Sequence, residues 1–118
     1  MCVFLFQSQL PTVVQSAAFA LSNLARGQGN ASDEIMNAGV APLLISHLVP
    51  GKSSLDLVAE VAWVLTYLTS KPNNLPQFVS LGIIDYLVKT LCALVKENTD
   101  NSQVITPVLR CLGKYPFY

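Results

Sequence analysis

The sequence predicts an all-α fold, a right-handed solenoid of stacked helical repeats with room for roughly two and a half of them. Two landmarks and one absence carry that expectation. Ala17-Ala18-Phe19-Ala20-Leu21-Ser22-Asn23-Leu24 returns in altered form as Val61-Ala62-Trp63-Val64-Leu65-Thr66-Tyr67-Leu68, setting Phe19 and Trp63 44 residues apart. Ala38-Gly39-Val40-Ala41-Pro42-Leu43-Leu44 matches Leu81-Gly82-Ile83-Ile84-Asp85-Tyr86-Leu87 at a spacing of 43. A shared offset of this size is the period of two- and three-helix repeats. No two-residue alternation is sustained across Val61, Val64, Ile83 and Ile84, so their β-branching does not make strands of them.

The elements follow in order. Pro11 suits a first helical turn, and apolar or small residues recur at three- and four-residue spacings from Val14 to Ala25 until Gly27-Gln28-Gly29-Asn30 stops them. Ser32 is the expected N-cap of a short helix ending at Gly39, with Asp33 and Glu34 placed favourably against its dipole. A second helix runs from Val40 towards His47 and is broken by Pro50-Gly51. Ser53 or Ser54 caps the longest candidate, Leu55 to Thr69, which Lys71-Pro72-Asn73-Asn74 ends because a residue before proline is driven out of the helical region. A short helix over Leu75 to Leu81 turns at Gly82, and helices over Ile83 to Lys96 and Ser102 to Lys114 flank the polar 97–101 loop. The repeat portions are then about 11–50, 51–96 and a partial 97–118.

With 118 residues, 52% hydrophobic and 12% charged, the chain has enough apolar side chains for one core and too little charge to read as disordered. An apolar excess suits an excerpt of a longer array, whose internal repeats hide both flanks against neighbours. Seven basic and seven acidic residues cancel without a lysine or arginine cluster, so no direct nucleic-acid partner is expected. Cys2, Cys92 and Cys111 are odd in number and widely spaced, which gives neither a disulfide framework nor zinc spacing and suits a reducing compartment. Met1-Cys2-Val3-Phe4-Leu5-Phe6 lacks a basic leader, and Gln7, Ser8 and Gln9 interrupt it, so it does not read as a signal peptide.

At these residues the chain resembles an armadillo repeat array of the importin-alpha branch. There the third helix of each repeat carries tryptophan followed four positions later by asparagine, in a context close to Ala-Trp-Ala-Leu-Ser-Asn-Leu. Here the first copy keeps Asn23 with Phe19 at the tryptophan position, and the second keeps Trp63 with Tyr67 at the asparagine position. A third copy, Ile105-Thr106-Pro107-Val108-Leu109-Arg110-Cys111-Leu112-Gly113-Lys114, has Arg110 and Lys114 at the paired positions. The resemblance spans about 15–114. It implies a protein- or peptide-binding module for basic nuclear localisation signals, working in the cytoplasm and nucleus. An importin-beta-like carrier is implied only for an intact parent protein.

Residues four apart share a helix face, so aromatic and amide stand side by side. The amide holds an extended peptide backbone, while the aromatic packs on lysine or arginine stems and attracts their cationic ends. The expected peptide-binding residues are Ser16, Phe19, Asn23, Glu60, Trp63, Tyr67 and Arg110, with Ser16 and Glu60 three residues before each aromatic. Each also has a plain structural role open to it. Asn23 can close a helix end, Phe19 and Trp63 can be core, Tyr67 and Arg110 can pack between repeats, and Glu60 and Lys114 can simply be solvated. Where the resemblance implies carboxylates beyond the asparagine, Gly27 and Lys71 stand instead, and Lys71 and Lys114 are expected to repel a basic peptide. Ala17, Leu21, Leu24, Val61, Leu65 and Leu68 are the expected core face.

The remaining candidates fail. Gly51-Lys52-Ser53 has Ser46 where a phosphate loop needs glycine, and His47 is the sole histidine. The acids are scattered over separate helices and turns, so no catalytic, metal or cofactor site is expected. A divergent scaffold for another protein partner, or a structural segment that associates with itself through exposed repeat faces, are the alternatives to peptide recognition.

Overall fold

In the computed structural model, residues 11–27, 31–48, 55–96 and 102–114 are described, and they are helical throughout apart from short turns. We number the helices α1 (Pro11–Arg26), α2 (Ala31–Asn37), α3 (Ala41–Ser46), α4 (Leu55–Leu68), α5 (Leu75–Ser80), α6 (Ile83–Lys96) and α7 (Ser102–Leu112), with a single 3-10 turn at Pro72–Asn74. There is no strand among the described residues.

The long helices α1, α4 and α7 lie side by side, and α4 packs most extensively on both of the others. The remaining helices, α6 as long as α4 and the other three shorter, close the core from beneath. Val61, Ala62, Val64, Leu65 and Leu68 of α4 are wholly buried, as are Ala18 of α1, Leu44 of α3, Phe78 of α5, Leu87 of α6 and Val108 of α7. Such spacing by three and four residues gives each long helix one buried stripe and leaves another stripe free.

Local chemistry explains the breaks. Lys71, before Pro72, sits at φ −91° and ψ 117°, the extended conformation that proline imposes on its predecessor. Asn74 then turns its side chain back, and its Nδ2 donates to the Leu68 carbonyl at 2.9 Å, satisfying the C-terminal end of α4. Gly39 and Gly82, the matched glycines of the repeat, both adopt left-handed backbone with φ of 75° and 82°. The buried Thr90 hydroxyl is 2.6 Å from the Leu48 carbonyl and 2.7 Å from the Tyr86 carbonyl, linking α6 to the turn after α3.

Three expectations are corrected. Helix α2 begins at Ala31, so Ser32 lies buried inside its first turn rather than capping it. Helices α4 and α7 end at Leu68 and Leu112, short of Thr69 and Lys114. Leu24 is 55% exposed instead of core. At 100° per residue it points to the flank of α1 opposite Ser22 and Arg26, which face α4, and no described element covers that flank. Ser53, Ser54, Pro50-Gly51 and the 97–101 loop lie outside the described residues.

Candidate functional site

Three parallel stripes make one open face. On α1, Ser16, Phe19, Asn23 and Arg26 succeed one another at three- and four-residue steps; on α4 the same spacing lines up Glu60, Trp63 and Tyr67; on α7 it lines up Gln103, Thr106 and Arg110. All four α1 residues and all three α7 residues are exposed, and the three on α4 are half-buried between them. Ordinary core is therefore excluded for Phe19, 57% of which meets solvent, and Trp63 forms the floor of the face.

Shallow clefts follow the seams between these helices. One of about 250 Å³ between α1 and α4 is lined by Phe19, Asn23, Arg26, Glu60, Trp63 and Tyr67, with Ser22 at its edge. A second of about 360 Å³ lies one turn towards the helix N-termini, between Gln15, Ser16, Phe19 and Glu60. A third, about 450 Å³, is between α4 and α7 beside Glu60, Trp63, Gln103 and Thr106. Glu60 borders all three clefts, so its carboxylate is central to the face.

The side chains engage one another across the seams. The Trp63 and Tyr67 rings stack with centroids 5.8 Å apart and planes 24° from parallel. The Arg110 guanidinium, reaching over from α7, has its carbon 5.7 Å from the centre of a Trp63 ring, a cation–π distance. On α1, Arg26 Nη2 donates to Asn23 Oδ1 at 2.9 Å. The Ser22 hydroxyl is 2.7 Å from the Phe19 carbonyl and 3.4 Å from Glu60 Oε2, tying α1 to α4 at the edge of the face. Beneath it, the buried Thr66 hydroxyl shares its one proton between the Ala62 carbonyl at 2.7 Å and the Pro107 carbonyl at 3.1 Å, which fixes α7 against α4.

The structure brings Ser16, Phe19, Asn23, Glu60, Trp63, Tyr67 and Arg110 onto this one face. Sequence reasoning missed Arg26, Gln103 and Thr106, although the three- and four-residue steps from Asn23 and Arg110 were enough to find them. Lys71, expected to repel a basic peptide, has its Nζ 3.6 Å from Asp33 Oδ1 of α2, a neighbour that spacing along the chain did not indicate. Both ends of that pair are solvated, and its contribution to stability is small. Among the described residues no three His, Cys, Asp or Glu side chains converge to hold a metal ion.

No protein-family model matches the chain. It is 28% identical to importin subunit alpha-9 of Arabidopsis thaliana over 107 residues, covering 88% of this chain and 19% of that protein. It is 31% identical to importin subunit alpha-2 of Oryza sativa subsp. japonica over 105 residues, covering 86% of this chain and 19% of that protein. The chain thus spans about a fifth of the length of the curated relatives it matches. Matching of this extent, on an all-helical fold in which α1, α4 and α7 stand side by side, supports an importin-alpha-like armadillo relationship, as a partial and divergent match.

Proposed function

We propose that this chain is a protein-binding armadillo segment that holds an extended peptide across α1, α4 and α7, as part of an import adaptor moving between cytoplasm and nucleus. The observation that carries the reading is the single exposed face shared by Phe19, Asn23, Glu60, Trp63, Tyr67 and Arg110, polar at its rim and aromatic at its floor. A face of that composition can hydrogen-bond a peptide backbone through Asn23 and pack its side chains on the rings. Binding rather than catalysis is the role it supports. A carrier of the importin-beta kind would be a partner of a longer protein that includes this segment.

A basic nuclear localisation signal as ligand is supported by the resemblance of the Phe19/Asn23 and Trp63/Tyr67 pairs to the importin-alpha pattern and by Glu60, which stands where a lysine could meet it. A divergent scaffold for another protein partner is favoured by two contacts: Arg110 already covers Trp63 and Arg26 already holds Asn23. The test common to both is fluorescence anisotropy with labelled extended peptides of basic, acidic and neutral composition. A saturable complex that disappears in a folded Asn23→Ala/Trp63→Ala variant supports the groove. Binding that is untouched in that variant puts the site elsewhere.

A further inference from the structure

We propose that the groove takes an extended acidic peptide, with Arg26 and Arg110 receiving its carboxylates. The inference rests on the peptide-binding reading above and gives the ligand its chemistry.

Three features of the face point that way. The aromatic slot over Trp63, where a ligand cation would gain most, is filled by the chain's own Arg110. An incoming lysine or arginine would have to displace a like charge from the ring. Asn23 has its amide oxygen committed to Arg26, which brings a second cation to the opposite side of α4. No described carboxylate lies within ion-pair distance of either guanidinium, whereas Lys71 does find Asp33.

Both guanidiniums also keep donors free. A guanidinium has five N–H groups; Arg26 spends one on Asn23, and a guanidinium lying over a ring leaves its edge open to a carboxylate fork. The residues named on the face therefore set two cations against one anion, Glu60, and the Ser22 hydroxyl 3.4 Å from that anion has a nearer acceptor in the Phe19 carbonyl at 2.7 Å. Neighbouring packed helices stand about 8–10 Å apart, so the two arginines bracket roughly 20 Å at most. An extended peptide covers that in about four to six residues, at roughly 3.3 Å per residue. Glu60, central to the face, disfavours a continuous polyanion and leaves room for a neutral or basic residue between the two acidic positions.

The proposal is tested on the 118-residue chain with labelled ten-residue peptides in three versions: acidic with Asp or Glu pairs five residues apart, basic, and serine-substituted. A single-stranded oligodeoxynucleotide is run beside them, at low and at physiological salt. Thermal melts confirm that each variant folds. The acidic peptide binds best and weakens with salt. Arg26→Gln and Arg110→Gln each lower its affinity about two- to fivefold, as exposed charge pairs do, and Arg110→Glu shifts preference towards the basic peptide. Preferred binding of the basic peptide, lost in Asn23→Ala/Trp63→Ala, overturns the charge assignment while leaving the groove standing. Equal or tighter binding of the oligodeoxynucleotide overturns a peptide as the occupant, and no binding of any peptide overturns the groove together with its charge preference.

Discussion

Replacing Phe78 by alanine tests how the short helices are held. Helix α5 has six residues, far below the roughly 12–15 at which an isolated helix becomes even marginal in water. Phe78 is its one buried residue, fully enclosed and the largest such side chain in the described core, with Leu75 partly buried against the same core. Truncating a buried phenylalanine to alanine costs about 3–5 kcal/mol, from lost transfer energy and the cavity left behind. A chain of this length has roughly 6–18 kcal/mol of total stability, so the variant should still fold. Its damage should be uneven. With its anchor gone, α5 should open locally, and the amides over 78–82 should exchange far faster than those of α4, while urea unfolding reports the global loss. A loss below about 1 kcal/mol, or exchange that rises equally in α4 and α5, would refute the claim that one side chain holds this helix.

Gly82→Ala should cost about 1–2 kcal/mol, measured by urea unfolding, because its φ of 82° is left-handed while nothing lies within 4 Å of the added methyl. The penalty is one of backbone alone, so Gly82→Asn should cost less. Thr90→Val keeps shape and removes the proton given to the Leu48 or Tyr86 carbonyl; a loss of about 1 kcal/mol and a lower midpoint are expected. Burial pushes the Cys111 thiol up from 9.0 to about 11, against the smaller opposing effects of its contact with Thr69 and of nearby Lys114. The unfolded chain gives up this proton first, so the contribution is whole below pH 9 and is lost as pH rises towards 11, up to about 2–3 kcal/mol, an increment that Cys111→Ala should lack. Alkylation at pH 8 should accordingly modify the exposed Cys92 in the native chain and reach Cys111 only on unfolding.

The helical repeat was legible because its signals are local or periodic. Pro72 and Gly82 act on their own and adjacent backbone dihedrals, and an apolar stripe recurring every three or four residues selects a helix whatever surrounds it. The same periodicity put Phe19 and Asn23 on one face and Glu60, Trp63 and Tyr67 on another, before any packing was known. Which faces would meet was a different matter. Leu24 has the spacing of a core residue, yet is exposed because the neighbour of α1 lies on its other side. Arg110 and Trp63 are 47 positions apart, and nothing in either local sequence says that one guanidinium will cover the other's ring. Lys71 lies 38 positions from Asp33, and nothing in either local sequence says that α2 brings the carboxylate 3.6 Å from its ammonium. Spacing along a helix determines which side chains stand together, but the angle and flank at which helices dock determine which charges are already answered. In this chain that second decision, made only by the tertiary structure, turned an aromatic groove expected to attract cations into one that carries its own.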